Sequence, residues 1–260
     1  KREYHEGKHI LFFLIDKAKG VIGIEDNKPD AIEKMKQAAQ GESRIEVMPL
    51  KTKYPQGAER MLIYAATGRK VNSSMLPADA GCIVDNIDTV TAIYQAVRFG
   101  EPLMSRIVTV TGDAVQNPCN FEVPVGMLLS ELLEQAGGLK NEASKIICGG
   151  PMMGKALFTM EVPVTKTTSA LTCLTDDEVS ALAPSACINC GRCVSVCPGQ
   201  ILPARLSVFA EHGEEEKFLK YGGMECCECG CCSYSCPAKR PLVQEIRSMR
   251  KMVMANRKKK

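Results

Sequence analysis

Tryptophan is absent from this 260-residue chain, and seven Phe and six Tyr are all that represent the aromatics. Base-stacking surfaces for single-stranded nucleic acid are built from aromatic rings, so that class of partner is disfavoured. Strong charge of one sign is also missing: the formal net charge is +3, too mild to hold a phosphate backbone. Long apolar runs are lacking. The longest near the start, residues 10–15, is six residues, far short of the roughly 20 that cross a bilayer. No G-x-G-x-x-G occurs, so no dinucleotide fingerprint can be claimed from pattern alone. Cysteine, by contrast, is abundant, with 14 in the chain.

Eight of those cysteines form the organising stretch. It reads Cys187-Ile-Asn-Cys190-Gly-Arg-Cys193-Val-Ser-Val-Cys197-Pro198, and then Cys226-Cys-Glu-Cys229-Gly-Cys-Cys232-Ser-Tyr-Ser-Cys236-Pro237. Each cysteine of the first run has its counterpart 39 residues on: 187 with 226, 190 with 229, 193 with 232, 197 with 236. This is the C-x2-C-x2-C-x3-C-P run of bacterial ferredoxins, present twice. Three thiolates spaced three apart on a tight loop can cap three irons of a cubane. The fourth lies where the chain turns away, so it reaches the other cluster. The spacing therefore predicts Cys187, Cys190, Cys193 and Cys236 on one [4Fe–4S] cluster, and Cys226, Cys229, Cys232 and Cys197 on the second. Gly191 and Gly230 supply small residues where the loops close, and Pro198 and Pro237 fix the chain direction beyond the fourth ligand. Zinc sites use separated pairs instead of a triplet plus a prolyl cysteine. A disulfide framework would call for a secretory leader, and none is read. Cys227 and Cys231 fit no triplet and are read as non-ligand thiols. Cys82, Cys119, Cys148 and Cys173 stand alone, and the plainer reading is small buried hydrophobes.

Along the rest of the chain, residues 1–20 look like a helix entered midway, so the chain is expected to begin inside a domain. His5 and His9 are one helical turn apart but lack a third ligand. Val21-Ile-Gly-Ile24 reads as a short buried strand, and Pro29-Asp30 opens a helix with Ile32, Met35, Ala38 and Ala39 on one face, closed by Gly41. Ile45-Glu-Val-Met-Pro49 is a second strand. Strand, helix, strand is the unit of a parallel α/β sheet. Such a sheet binds ligands at the carboxyl ends of its strands, here Glu25-Asp-Asn-Lys and Pro49-Leu-Lys-Thr-Lys. A helix is expected over 60–67, closed by Gly68. Residues 81–86 read as a strand leading into a helix over 90–99, with Asp88 or Thr89 as its cap. Beyond Pro102 come a hairpin of strands near 106–112 and 120–124, a helix over 125–136 and a strand over 145–149, together a small β-grasp unit. Residues 165–170 read as a linker, Asp176-Asp177-Glu178 as the start of a helix, and Glu214-Glu215-Glu216 as a solvated helix face. The Met-rich tail from Arg247 is a basic helix that could dock on anionic lipid or an acidic partner.

With these three units in view, the chain resembles the C subunits of Rnf-type membrane oxidoreductases. It is more distantly similar to the NADH-binding flavoprotein of respiratory complex I. The resemblance rests on Gly23-Ile-Glu-Asp-Asn-Lys28-Pro, Tyr54-Pro-Gln-Gly57-Ala-Glu59, Asn86-Ile-Asp-Thr89, the unit from 108 to 154 and the paired cysteine runs. It implies an α/β and α+β multidomain fold in three parts. Residues 1–104 would be a Rossmann-like FMN- and NADH-binding domain, incomplete at its N-terminus. Residues 105–160 would be a β-grasp (soluble-ligand-binding) domain, and 161–260 a helical two-cluster ferredoxin domain with a basic C-terminal helix. Gly57-Ala58-Glu59 resembles the family's Gly-Glu-Glu stretch, with Ala58 in place of one carboxylate. Asn86-Ile87-Asp88-Thr89 resembles its Asn-Val-Glu-Thr stretch. Gly57, Ala58, Glu59, Asn86 and Thr89 are thereby expected to face flavin and nicotinamide. The family's G-x-G-G-A-G-F-P-T flavin loop is absent, its place falling before Lys1, so this stretch alone is expected to bind FMN weakly.

The function implied is electron transfer in a membrane-associated, ion-translocating NADH:ferredoxin oxidoreductase. Electrons would pass between NADH, FMN and two [4Fe–4S] clusters to partner subunits, and indirectly to ferredoxin, on the cytoplasmic face of the membrane. No residue is expected to act as general acid or base. Two other readings stay open: a cluster-carrying adaptor without its own flavin, and a soluble cobalamin reductase of related domain order.

Overall fold

The computed structural model describes residues 10–12, 14–177 and 181–257. His5 and His9, and residues 178–180 of the helix expected after Asp176, lie outside them. The chain divides into two compact units, Lys1–Leu103 and Met104–Lys260.

In the first unit, β1 (Gly20–Glu25) and β2 (Ile45–Leu50) pair in parallel, Gly20 opposite Ile45 through Glu25 opposite Leu50. Between them runs α1 (Pro29–Ala38), whose first turn takes Pro29, a residue that needs no amide partner there. Helix α2 (Glu59–Thr67) stops at Gly68 in the left-handed region, as expected. Met35 of α1, Ile63 of α2 and Leu50 of β2 are buried. The β1 reading as a buried strand is corrected. Its residues alternate between exposed and half-covered, and Val21 is 40% exposed. A parallel sheet is buried only when both faces are covered, and the described sheet here has two strands. Gly23 leaves space that packing uses: a Cβ there would fall 2.8 Å from Leu50 Cδ1 and 3.0 Å from Leu62 Cδ1. Residues 82–86, expected as a strand, form none. They lead into α3 (Ile87–Phe99), which starts earlier than expected because Asn86, not Asp88 or Thr89, is the cap.

The second unit opens with a hairpin, β3 (Ser105–Thr111) antiparallel to β4 (Cys119–Pro124). Helix α4 (Leu129–Gln135) follows, then β5 (Lys145–Cys148), β6 (Lys155–Ala156) and β7 (Ala170–Leu174). The sheet order is β4-β3-β7-β5-β6, with β7 parallel to β3 and antiparallel to β5. One face closes on α4: Val108, Val110, Val123, Leu129, Leu132, Ala136 and Leu171 form a sealed core. Residues 165–170 are therefore no linker. They enter the central strand of the sheet, Thr168 is buried, and Val164 exchanges backbone bonds with Gly126 (2.8 Å) and Met127 (2.7 Å). That pairing also holds residues 125–128 in a turn, so α4 begins later than expected. The β-grasp unit accordingly runs past residue 160.

Downstream the chain is helical, through α5 (Arg192–Ser195), α6 (Pro203–Glu211), α7 (Glu215–Lys220), α8 (Cys231–Tyr234) and α9 (Leu242–Arg257). The 39-residue repeat is one of backbone as well as sequence. Asn189 (φ 55°) matches Glu228 (57°), Gly191 (74°) matches Gly230 (82°), and Gln200 (53°) matches Lys239 (52°). Helix starts follow suit, Arg192 with Cys231 and Pro203 with Leu242. Leu206 and Phe209 of α6, Phe218 of α7, and Ile246, Met249 and Val253 of α9 make the core. The basic tail is helical as expected, and one of its faces is part of this core. Glu214 pairs with Lys217 at 2.8 Å, and Glu215 accepts from Asn256 at 3.0 Å, so only part of the acidic run faces solvent freely.

Candidate cluster and flavin sites

Each cysteine loop is shaped by its glycine. Gly191 and Gly230 take left-handed conformations and start the short helices α5 and α8, which carry the third cysteines, Cys193 and Cys232. At Gly230 space is also short: a Cβ would sit 2.9 Å from the Met152 carbonyl oxygen of the β5–β6 loop, so this loop lies directly against the second cysteine run.

The two runs open onto two cavities. One, of about 380 Å³, is lined by Cys187, Cys190, Cys193 and Cys236, with Arg205 and Arg240 among its other walls. The other is lined by Cys197, Cys226, Cys229 and Cys232, with Cys227 and Cys231 beside them. In each, three thiols come from one run and the fourth from the prolyl end of the other. Among the described residues no three His, Cys, Asp or Glu side chains converge closely enough to hold a single metal ion. A zinc ion would draw its sulfurs to about 2.3 Å from one point. Four thiols on each cavity, three from one run and one from the other, are the donor set of a [4Fe–4S] cluster in the paired ferredoxin runs.

Their environments differ. Cys187 and Cys190 are exposed, whereas Cys229 and Cys232 are buried. Burial pushes the free Cys226 thiol up to about 11 and that of Cys232 up to about 12, and it raises Cys193 as well. Cys193 and Cys236 pack against the small buried cluster of Cys232, Leu242 and Val243, so residues of the two sets meet in one cluster. The Cys227 thiol hydrogen-bonds the Cys229 sulfur, which together with burial raises its pKa. Sequence spacing could mark Cys227 as surplus but could not show this contact. Of the four isolated cysteines Cys173 is buried as expected and Cys82 and Cys148 are half-buried, but Cys119, near the hairpin turn, is exposed.

The flavin-side residues lie at two helix N-termini in the first unit. Gly57 precedes Ala58, the N-cap of α2, and Glu59 is the first helical residue. A Cβ on Gly57 would meet nothing within 4 Å, so its backbone is open to close approach. Asn86 accepts the Asp88 amide at 2.9 Å as the cap of α3, which leaves its side-chain amide N–H groups to donate outward. Glu59 and Asn86 are exposed and Thr89 is half-buried in the first turn of α3. A helix N-terminus with open backbone offers N–H groups to an anionic or carbonyl group. Nearby in sequence, Asp26 accepts from the Thr52 amide (3.0 Å) and hydroxyl (2.6 Å), which ties together the carboxyl ends of β1 and β2. These bonds hold the Asp26 carboxyl below the usual carboxylate range.

Comparison with known proteins follows the same division. Residues 2–95 match the Nuo51 FMN-binding domain, 107–156 the SLBB domain, and 186–239 a 4Fe-4S dicluster domain. Among curated proteins, the C subunit of the Na(+)-translocating ferredoxin:NAD(+) oxidoreductase complex of Acetobacterium woodii is 46% identical over 241 residues, 93% of this chain and 54% of that protein. The C subunit of the proton-translocating ferredoxin:NAD(+) oxidoreductase complex of Clostridium ljungdahlii is 44% identical over 94% of this chain and 53% of its own. The C subunit of the ion-translocating oxidoreductase complex of Pseudomonas aeruginosa is 40% identical over 97% of this chain and 33% of its own. The chain spans about half the length of the first two relatives. In fold it resembles a chain in the crystal structure of an NAD+-reducing [NiFe]-hydrogenase in the H2-reduced state. That likeness has a TM-score of 0.64 and 16% identity, and covers 95% of this chain and 52% of the other. With an FMN-binding domain, an SLBB domain and a dicluster domain in this order, and with relatives at this identity, the chain belongs to the family of C subunits of ion-translocating oxidoreductase complexes.

Proposed function

We propose that the chain is the electron-carrying part of an ion-translocating NADH:ferredoxin oxidoreductase, docked through other subunits on the cytoplasmic face of a membrane. The observation that carries this reading is the division of eight cysteines into two quartets on two cavities, each quartet drawn from both runs. When bound, FMN exchanges two electrons with NADH and the clusters carry electrons singly. The chain's own residues position and tune. Cys187, Cys190, Cys193 and Cys236 hold one cluster; Cys226, Cys229, Cys232 and Cys197 hold the other. Met152 and the β5–β6 loop cover one side of the second cysteine run. Gly57 admits the flavin to the backbone with Ala58 and Thr89 as flanking wall, Asn86 donates to it, and Glu59 fixes the nicotinamide or ribityl end. Among the described residues no helix is long and apolar enough to cross a membrane.

Iron and sulfide analysis of anaerobically reconstituted protein tests the reading. Two cubanes give about eight iron per chain and a broad charge-transfer absorption. A colourless protein that takes up zinc alone sinks it.

A further inference from the structure

We infer that Glu228, Arg247 and Arg250 form a charged clamp that holds the loop of the second cluster and sets that cluster's reduction potential. The inference rests on the two-cluster reading above.

Glu228 lies between the ligands Cys226 and Cys229 and is one of four non-glycine residues at positive φ (57°) among the described residues. Its amide donates to the Cys226 sulfur at 3.4 Å. Its carboxylate reaches α9, where Arg247 Nε donates at 2.8 Å to one oxygen and Arg250 Nη1 donates to the other. All three side chains are largely covered, with 23% exposure for Glu228, 24% for Arg247 and 16% for Arg250. Solvent-exposed ion pairs contribute little because water screens them; at this burial the screening is weaker and the charges act over the cluster distance.

Two guanidinium groups face one carboxylate, so the clamp carries one positive charge in excess. Arg250 Nε is buried and has no hydrogen-bond partner among the described residues, so one donor of this guanidinium is unused. One-electron reduction adds a negative charge to a cluster, and net charge and hydrogen bonds to sulfur are levers on its potential. An excess positive charge here stabilises the reduced form.

The internal repeat supplies the control. Thirty-nine residues earlier the three positions are Asn189, Val208 and Glu211. Asn189 takes the same backbone conformation, φ 55°, without any carboxylate. The loop geometry therefore does not require Glu228; the carboxylate is there for the two arginines. Glu211 in turn pairs with Arg240, a balanced pair. Among the described residues, the equivalent positions of the first run form no such clamp.

The test is an EPR-monitored redox titration of the full-length reconstituted protein, reading the signal that Cys229→Ala removes. Arg250→Gln takes away a positive charge and lowers the midpoint of that signal. Glu228→Gln takes away the negative charge and raises it. The double variant restores the local charge and returns the midpoint towards that of the parent, although the ion pair is gone. The other cluster's midpoint stays fixed throughout. Shifts of the same sign in both single variants, no shift in either, or simple loss of iron from one cluster in both would overturn the clamp. Absence of any cubane signal in the unsubstituted protein would fail the two-cluster reading itself, and the clamp with it.

Discussion

Among single residues, the surplus thiols and one half-buried carboxyl lead to checks of their own. Cys227 donates to the Cys229 sulfur and Cys231 begins α8 at the edge of the same cavity; neither occupies a position that the repeat assigns to a ligand. Cys227→Ser and Cys231→Ser should each keep the parent's iron content, read by iron analysis after reconstitution; loss of about four iron from either would give it a ligand's role. Glu245 stands among Ser207, Glu211 and Arg240. Burial raises its pKa, and the neighbouring Glu211 adds to the rise while the Ser207 hydrogen bond and Arg240 oppose it. A carboxyl whose folded pKa lies above its unfolded value favours the fold at low pH, and that contribution is lost as pH rises through the folded pKa. Glu245→Gln keeps an acceptor for Ser207 and removes the charge. Its Tm should equal or exceed the parent's at pH 7, and that advantage should vanish below about pH 4, where the parent carboxyl is protonated in both states. A variant less stable at pH 7 by the same margin as at pH 4 would contradict this.

For elements, the central strand β7 decides the integrity of the β-grasp unit. Gly112, at the end of β3, has φ 114° and lies so close to β7 that a Cβ would fall 1.9 Å from the Cys173 carbonyl oxygen. Gly112→Ala therefore sets a strained backbone, worth about 1–3 kcal/mol, against a strand that has no room to move. Denaturant unfolding should show a loss of at least that size. In the ferredoxin part, Phe218 is fully buried among α6, α7 and α9, and Phe218→Ala should cost about 3–5 kcal/mol in the same measurement. What the sequence made legible follows from locality. Gly68 ended α2, the hairpin of β3 and β4 was visible in its alternation, and the cysteine runs carried their own spacing. Strand β7 was not legible. Its polar approach, Lys166-Thr-Thr-Ser, has linker chemistry, and its partners β3 and β5 are distant in sequence. The α3 cap was misplaced because Asn86, Asp88 and Thr89 are all competent caps, and only geometry selects the side chain that reaches the Asp88 amide. Likewise the basic tail has the composition of a surface helix, while its Ile246, Met249 and Val253 stripe is buried against α6.

At the scale of the whole molecule, an FMN-binding domain and a dicluster domain share a single chain. On the flavin side, in the full-length protein, Asn86→Ala should lose FMN because it removes both a donor and the cap of α3. Glu59→Ala should slow NADH reduction more than it lowers flavin content; equal losses in both would move Glu59 to a purely structural role. The central claim, however, is the crossed pairing of the cysteine runs, since it alone explains why two sequence repeats make two cavities each lined by both. Iron content of two double variants tests it most directly. If Cys236 serves the cluster of Cys187, then Cys187→Ala with Cys236→Ala damages one site only and keeps about four iron, while Cys226→Ala with Cys236→Ala damages both and keeps almost none. The reverse result, with the second variant retaining four iron and the first losing all, would contradict the account.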